Sequence, residues 1–173
     1  MARMVADDKN KFTASLSVPE GGLREVTASE LNAGFQLCLY TLKDDFTLGP
    51  SGSESMNEAS LCSASNASTP GASNYEAAFT LFRSFKQVEG GVDDTSEVEK
   101  FLAAVKGQKG VEVCLYSRVS DKPATEPWEV GDEVAAAVRV TLDDLQPIYG
   151  NGFIKVRVPT FPQDGASFFT LKA

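Results

Sequence analysis

The chain is patterned mainly with a period of two. In FTASLSV, residues 12–18, Phe12, Ala14, Leu16 and Val18 alternate with Thr13, Ser15 and Ser17, as in a strand with one face on a core. Pro19 and the pair Gly21 and Gly22 end it. The alternation returns after Asn74, where Tyr75, Ala77, Phe79 and Leu81 share a face and Phe82 lies on the other. VEVCLYSRV at 111–119, EVAAAVRVTL at 133–142, FIKVRV at 153–158 and ASFFTLKA at 166–173 read as further strands. Between the second and third of these, DDLQPIYGNG has the turn chemistry of a wide hairpin tip.

Three stretches depart from that rhythm. FQLCLYTL, 35–42, is apolar at nearly every position, which predicts a strand covered on both faces, either by core and a second subunit or as the centre of an ordinary sandwich. TSEVEKFLAAVKG places Val98, Phe101, Leu102 and Val105 at helical spacing, with Asp94 and Glu97 at capping-box positions and Gly107 as the stop. This predicts a helix over 95–106. TASELNAG, 27–34, allows a single helical turn with Ser29 as N-cap and Gly34 as the stop. A polar, Gly- and Ser-rich loop over 43–58 and a spacer over 63–74 flank a short predicted strand, ASLC at 59–62. In the crossover 121–132, Trp128 is expected to pack over a sheet edge.

Length and composition then restrict the class. With 173 residues, 42% hydrophobic and 23% charged, the chain suits one globular domain over 1–173. The expected fold is mainly β, a β-sandwich or open barrel with one flanking helix. The net charge of -8 opposes nucleic-acid binding, which relies on clustered Lys and Arg. The chain has no histidine, so the commonest general base and the commonest metal ligand are both missing. No enzymatic activity, cofactor or metal is expected. Cys38, Cys62 and Cys114 are odd in number and widely spaced and read as small buried hydrophobes. The sequence has neither a long apolar span nor a signal-like N-terminus, so no membrane partner and assembly in a cytoplasm are expected. Folds of this kind serve adhesins, carbohydrate binders, carriers and capsid parts alike.

The block LCSASNASTPGASNYEAAFTLFRSF, 61–85, resembles the middle of major tail tube proteins of long flexible-tailed (siphovirus) bacteriophages, particularly those infecting actinobacteria. ELNAG at 30–34, the acidic linker and helix at 92–106, GVEVCLYSRV, PWEVGDEV at 127–134 and GNGFIKVRVP at 150–159 match in order and spacing. The likeness covers roughly residues 27–173, and the first 26 fit it less clearly.

The resemblance implies a structural virion protein of the phage tail, assembled in the host cytoplasm. Subunits would form hexameric rings whose strands close a continuous inner β-barrel, and the rings would stack into the hollow tube through which phage DNA passes. Implied partners are further copies of itself, a tape-measure protein, and tail-tip and tail-terminator proteins. DNA would transit without specific binding. An acidic lumen would repel phosphates, with Asp44, Asp45 and Glu58 flanking a first inner hairpin and Glu133, Asp143 and Asp144 at the ends of a second. Subunit-interface candidates are Leu37 and Leu39 of the apolar run, and Arg139, Lys155 and Arg157 as partners for carboxylates. Ring-stacking candidates are Phe46, Leu48, Pro50 and Met56 in the loop 43–58, with Thr69 and Pro70 in the spacer. Residues 1–26 would be an arm or a strand added elsewhere, such as to a neighbouring subunit, and the helix would cover the sheet face away from the lumen. Two other readings compete: a tube protein of a contractile tail or secretion apparatus, and a monomeric carbohydrate-binding β-sandwich using Trp128 and Tyr149 as a platform.

Overall fold

A computed structural model describes residues 6–58, 67–88 and 90–173, with the side chains of 56–58 and 67–69 outside the description. Strands β1 (Asn10–Ser15), β2 (Phe35–Gln36), β7 (Glu112–Val119), β8 (Glu133–Leu142) and β11 (Thr160–Thr170) form a five-stranded sheet in the order β11-β8-β7-β1-β2. Strands β3 (Thr47–Ser51), β6 (Asn74–Phe82), β9 (Gln146–Ile148) and β10 (Lys155–Val158) form a second sheet in the order β3-β6-β10-β9. A separate ribbon pairs β4 (Ser55–Glu58) with β5 (Ala67–Pro70). Pairing in all three is antiparallel. The mainly β architecture matches the sequence reading.

The main core lies between the two sheets and is closed by helix α2 (Glu97–Val105). It gathers Phe12 and Ala14 of β1, Phe79 and Leu81 of β6, Leu115 of β7, Val138 and Val140 of β8 and Val158 of β10. The predicted stripe of α2 is buried as drawn, with Phe101 fully inside and edge-on to Phe35 at 5.6 Å between ring centroids. Its predicted capping box is absent. Asp94 is instead drawn to Lys86 at 3.0 Å and Glu97 to Lys100 at 2.9 Å, leaving Ser96 at the N-cap without a side-chain cap bond.

A second cluster covers the opposite face of the five-stranded sheet. Helix α1 (Ala28–Ala33) and the crossover carrying Trp128 supply Leu31 and Trp128, which meet Tyr116, Ala137 and Phe169. Helix α1 starts at Thr27 rather than Ser29, because Thr27 and Glu30 complete a reciprocal capping box. With both faces covered, the polar positions of β1 are buried too: Thr13 donates to Gln36 Oε1 and accepts from Trp128 Nε1, each at 2.9 Å. Trp128 is thus interior, not laid over an edge. The strand β1 lies inside this chain's own sheet, between β7 and β2, rather than added to a neighbour.

The apolar run 35–42 is not a strand beyond β2. It becomes a 3-10 turn, Cys38–Tyr40, because the Leu37 N–H donates to Phe12 O at 2.9 Å while Thr41 Oγ1 donates to Leu37 O at 2.8 Å. Side chains radiate from such a turn, so one apolar run serves both core and surface.

The stretch 43–58 is not a free loop. Phe46 and Leu48 pack on the main core, Phe46 lying 4.9 Å from Phe12 between ring centroids, and this brings β3 into register beside β6. The spacer 63–74 contains β5, and the predicted strand at 59–62 lies outside the described residues. Nor do the strands at 133–142 and 153–158 form one hairpin. They belong to different sheets, and the hairpin is β9 with β10, its tip at 149–154. Between β10 and β11 only Pro159 intervenes, where the chain passes from one sheet to the other.

Candidate assembly surfaces

Core on one side and α1 with the Trp128 crossover on the other cover the five-stranded sheet. Among the described residues, the four-stranded sheet has core on one side, and its far face is only partly covered, with Thr80 fully buried there. Alternation along β6 and β10 puts Glu76, Ala78, Thr80 and Phe82, with Lys155 and Arg157, on its far face. A 3-10 turn, Lys43–Asp45, leans on this face, where the Thr80 hydroxyl donates to the Asp45 carboxylate. The exposed Asp44 shares that turn.

The six acidic lumen candidates do not converge. Asp44 and Asp45 stand on the open face, whereas Glu133 opens β8 and Asp143 and Asp144 follow its far end, about 30 Å away at ~3.3 Å per residue. Asp143 is held by Lys109 at 2.8 Å, and that hydrogen bond is the main cause keeping its carboxyl below the usual range. Glu58 ends β4.

The interface candidates divide in the same way. Leu37 is fully buried in its own core and is corrected to a core residue, because its backbone bonds turn its side chain inward. Leu39, two residues on, is 72% exposed. Lys155 and Arg157 sit on the open face opposite Phe82 and Thr80, with no ion pair among the described residues. Arg139 is half-buried between Cys114 and Asp164 in register, and its Nε is buried without a hydrogen-bond partner. Of the stacking candidates, Phe46 and Leu48 belong against the core, since their alternation carries them into it. Pro50 and Pro70 are exposed, and Met56 pairs with Thr69 in the backbone register of the ribbon.

Two features escaped the sequence reading. Leu39, Phe82, Phe85, Phe153 and Ile154 line a surface hollow of about 530 Å³. It adjoins a groove of about 1090 Å³ between α2 and the β9–β10 hairpin, whose tip carries Tyr149 and Phe153 at 90% and 81% exposure. The motif GNGFIKV read as turn plus strand, and only the hairpin's true partner shows that Phe153 and Ile154 stand outside the sheet. The second is ionic: Glu99, buried within the helix, takes a fork from Arg83 at 2.6 and 2.8 Å. A carboxylate on the apolar side of a helix and a lone arginine after a strand were the available signals.

Burial of Trp128 removes the proposed carbohydrate platform. Neither curated proteins nor solved structures offer a match to the chain. A family model described as phage tail tube protein matches residues 1–171, including the N-terminal segment that the motif likeness left out. The chain belongs to the phage tail tube protein family, and is a structural component of the virion tail.

Proposed function

We propose that the chain polymerises as stacked hexameric rings, and that the four-stranded sheet of each copy contributes to one inner barrel. The supporting observation is the partly open far face of this sheet, where Glu76 and Arg157 are exposed, set against a five-stranded sheet covered on both faces. Closing the sheets into a ring removes the free edges at β3 and β9. Each edge carries a proline, Pro50 and Pro147, which lacks an N–H and so discourages indiscriminate pairing.

In this reading Asp44 and Asp45 line the lumen with Glu76, and DNA slides past carboxylates without specific binding. Glu133, Asp143 and Asp144 belong to other surfaces. The β4–β5 ribbon, outside both sheets and ending in Pro70, makes the ring-to-ring contact, with Pro50 of β3 assigned to the same contact. Tape-measure, tail-tip and tail-terminator proteins are the further partners, and the role is mechanical rather than enzymatic.

Negative-stain electron microscopy of the purified chain over a range of concentrations tests this. Six-fold rings or hollow tubes of uniform diameter are expected. Monomers that persist even with purified tail-tip complex would refute it.

A further inference from the structure

Among the exposed apolar side chains of the described residues, the aromatic ones form two separate patches. One surrounds the β9–β10 tip, where Tyr149, Phe153 and Ile154 adjoin Leu39 and Phe85. The other lies on β11, where Phe161 and Phe168 are 55% and 72% exposed. The four-stranded sheet has β9 at one edge and β3 at the other, and β11 packs against β3 and β6. The tip therefore marks one flank and β11 the other. Phe168 has φ 48°, a left-handed conformation that a bulky side chain seldom adopts and that holds strain.

Asp94 and Asp144 border the groove, each beside a lysine, but two lysines and two carboxylates without ion pairs follow the same division. Lys106 and Lys155 border the groove beside the tip without ion pairs among the described residues. Asp164 within β11 and Glu133, paired with Thr170 at its end, are exposed and likewise without ion pairs among the described residues. A patch that must meet a different patch on an identical molecule makes a head-to-tail contact, the kind that closes rings or continues helically.

We infer that the β9–β10 tip and its groove dock onto the β11 flank of a second copy of this chain, with Phe153 and Phe168 at the apolar centre and Lys155 and Lys106 facing Asp164 and Glu133 around it. The inference rests on the ring reading and assigns the two surfaces that meet. It assigns Glu133, which lies away from the lumen, to this contact. An open apolar hollow beside an edge strand would otherwise invite association without a defined register.

The test is made on the full chain. A photoreactive benzoylphenylalanine replaces Phe153, tubes are assembled and irradiated, and cross-linked peptides are mapped by mass spectrometry. Cross-links to residues 160–170 or 126–133 of another copy are expected. Cross-links confined to other segments would overturn the assignment. In parallel, Phe153→Glu should raise the concentration needed for assembly by about tenfold or more, while unfolding as wild type does, because the side chain is exposed. Lys155→Glu should impair assembly, and Asp164→Lys in the same chain should restore it. If wild-type tubes form and Phe153→Glu assembles equally well, this docking is wrong and the ring reading survives. If the wild-type chain forms neither rings nor tubes even with purified tail-tip complex, the ring reading itself fails.

Discussion

Arg118 Nη1 donates to Asp132 Oδ2 at 2.7 Å from a side chain with no exposed surface. The same guanidinium donates to Pro127 O and Pro123 O, each at 3.0 Å, and lies over the Trp128 ring at 5.4 Å from its centroid. One arginine on β7 thus shapes the whole crossover that covers the five-stranded sheet. Removing it would take one buried partner from the Asp132 carboxylate, which keeps Lys122 and the Glu129 N–H, and leave several carbonyls without their donor, a loss of about 3 kcal/mol. Arg118→Ala should therefore unfold at much lower denaturant, followed through the fluorescence of Trp128, the chain's single tryptophan. A shift within error would mean that the crossover is held by packing alone.

Asp132 carries the pH dependence of that arrangement. Burial opposes its charge, but Lys122, the Glu129 N–H and Arg118 together outweigh burial and keep its carboxyl below the usual range. A depressed folded-state value means that the stabilisation is complete above the unfolded carboxyl pKa of about 4 and is lost as pH falls through the folded one. Denaturation midpoints should accordingly fall more steeply below about pH 4 in wild type than in Asp132→Asn. Parallel curves would remove Asp132 from the acid response.

Phe101 is fully buried at the contact of α2 with the main core. Phe101→Ala should cost about 3–5 kcal/mol in equilibrium unfolding. A negligible change would show that the helix does not depend on this anchor.

Cys114 faces the second cluster on β7, and burial pushes its thiol up to about 11. It should resist alkylation in the native protein near pH 8 and react once denatured, because only the thiolate attacks. Peptide mapping after iodoacetamide treatment reads this out, and rapid native labelling of Cys114 would contradict the packing described for β7.

Strands whose alternation matched a single covered face were legible in the sequence: Tyr75, Ala77, Phe79 and Leu81 lie where period two places them. The helix stripe at Val98, Phe101, Leu102 and Val105 was legible for the same reason. Long-range partners were not. The run at 35–42 has the composition of a buried strand, and only the bonds of Leu37 to Phe12 and Thr41 make it a turn. Phe46 and Leu48 looked like apolar accents in a polar loop until β6 lay beside them. Carboxylates such as Asp44 and Glu133 carry no local mark of the surface they occupy, so their grouping needed the sheet topology.

A cryo-electron microscopy reconstruction of assembled tubes tests the central claim most directly. The account predicts six copies per ring, a closed inner barrel built from β3, β6, β10 and β9 of every copy, Asp44 and Asp45 facing the lumen, and the β9–β10 tip seated against the next copy's β11. A lumen lined by the five-stranded sheet, or rings without a continuous barrel, would contradict it.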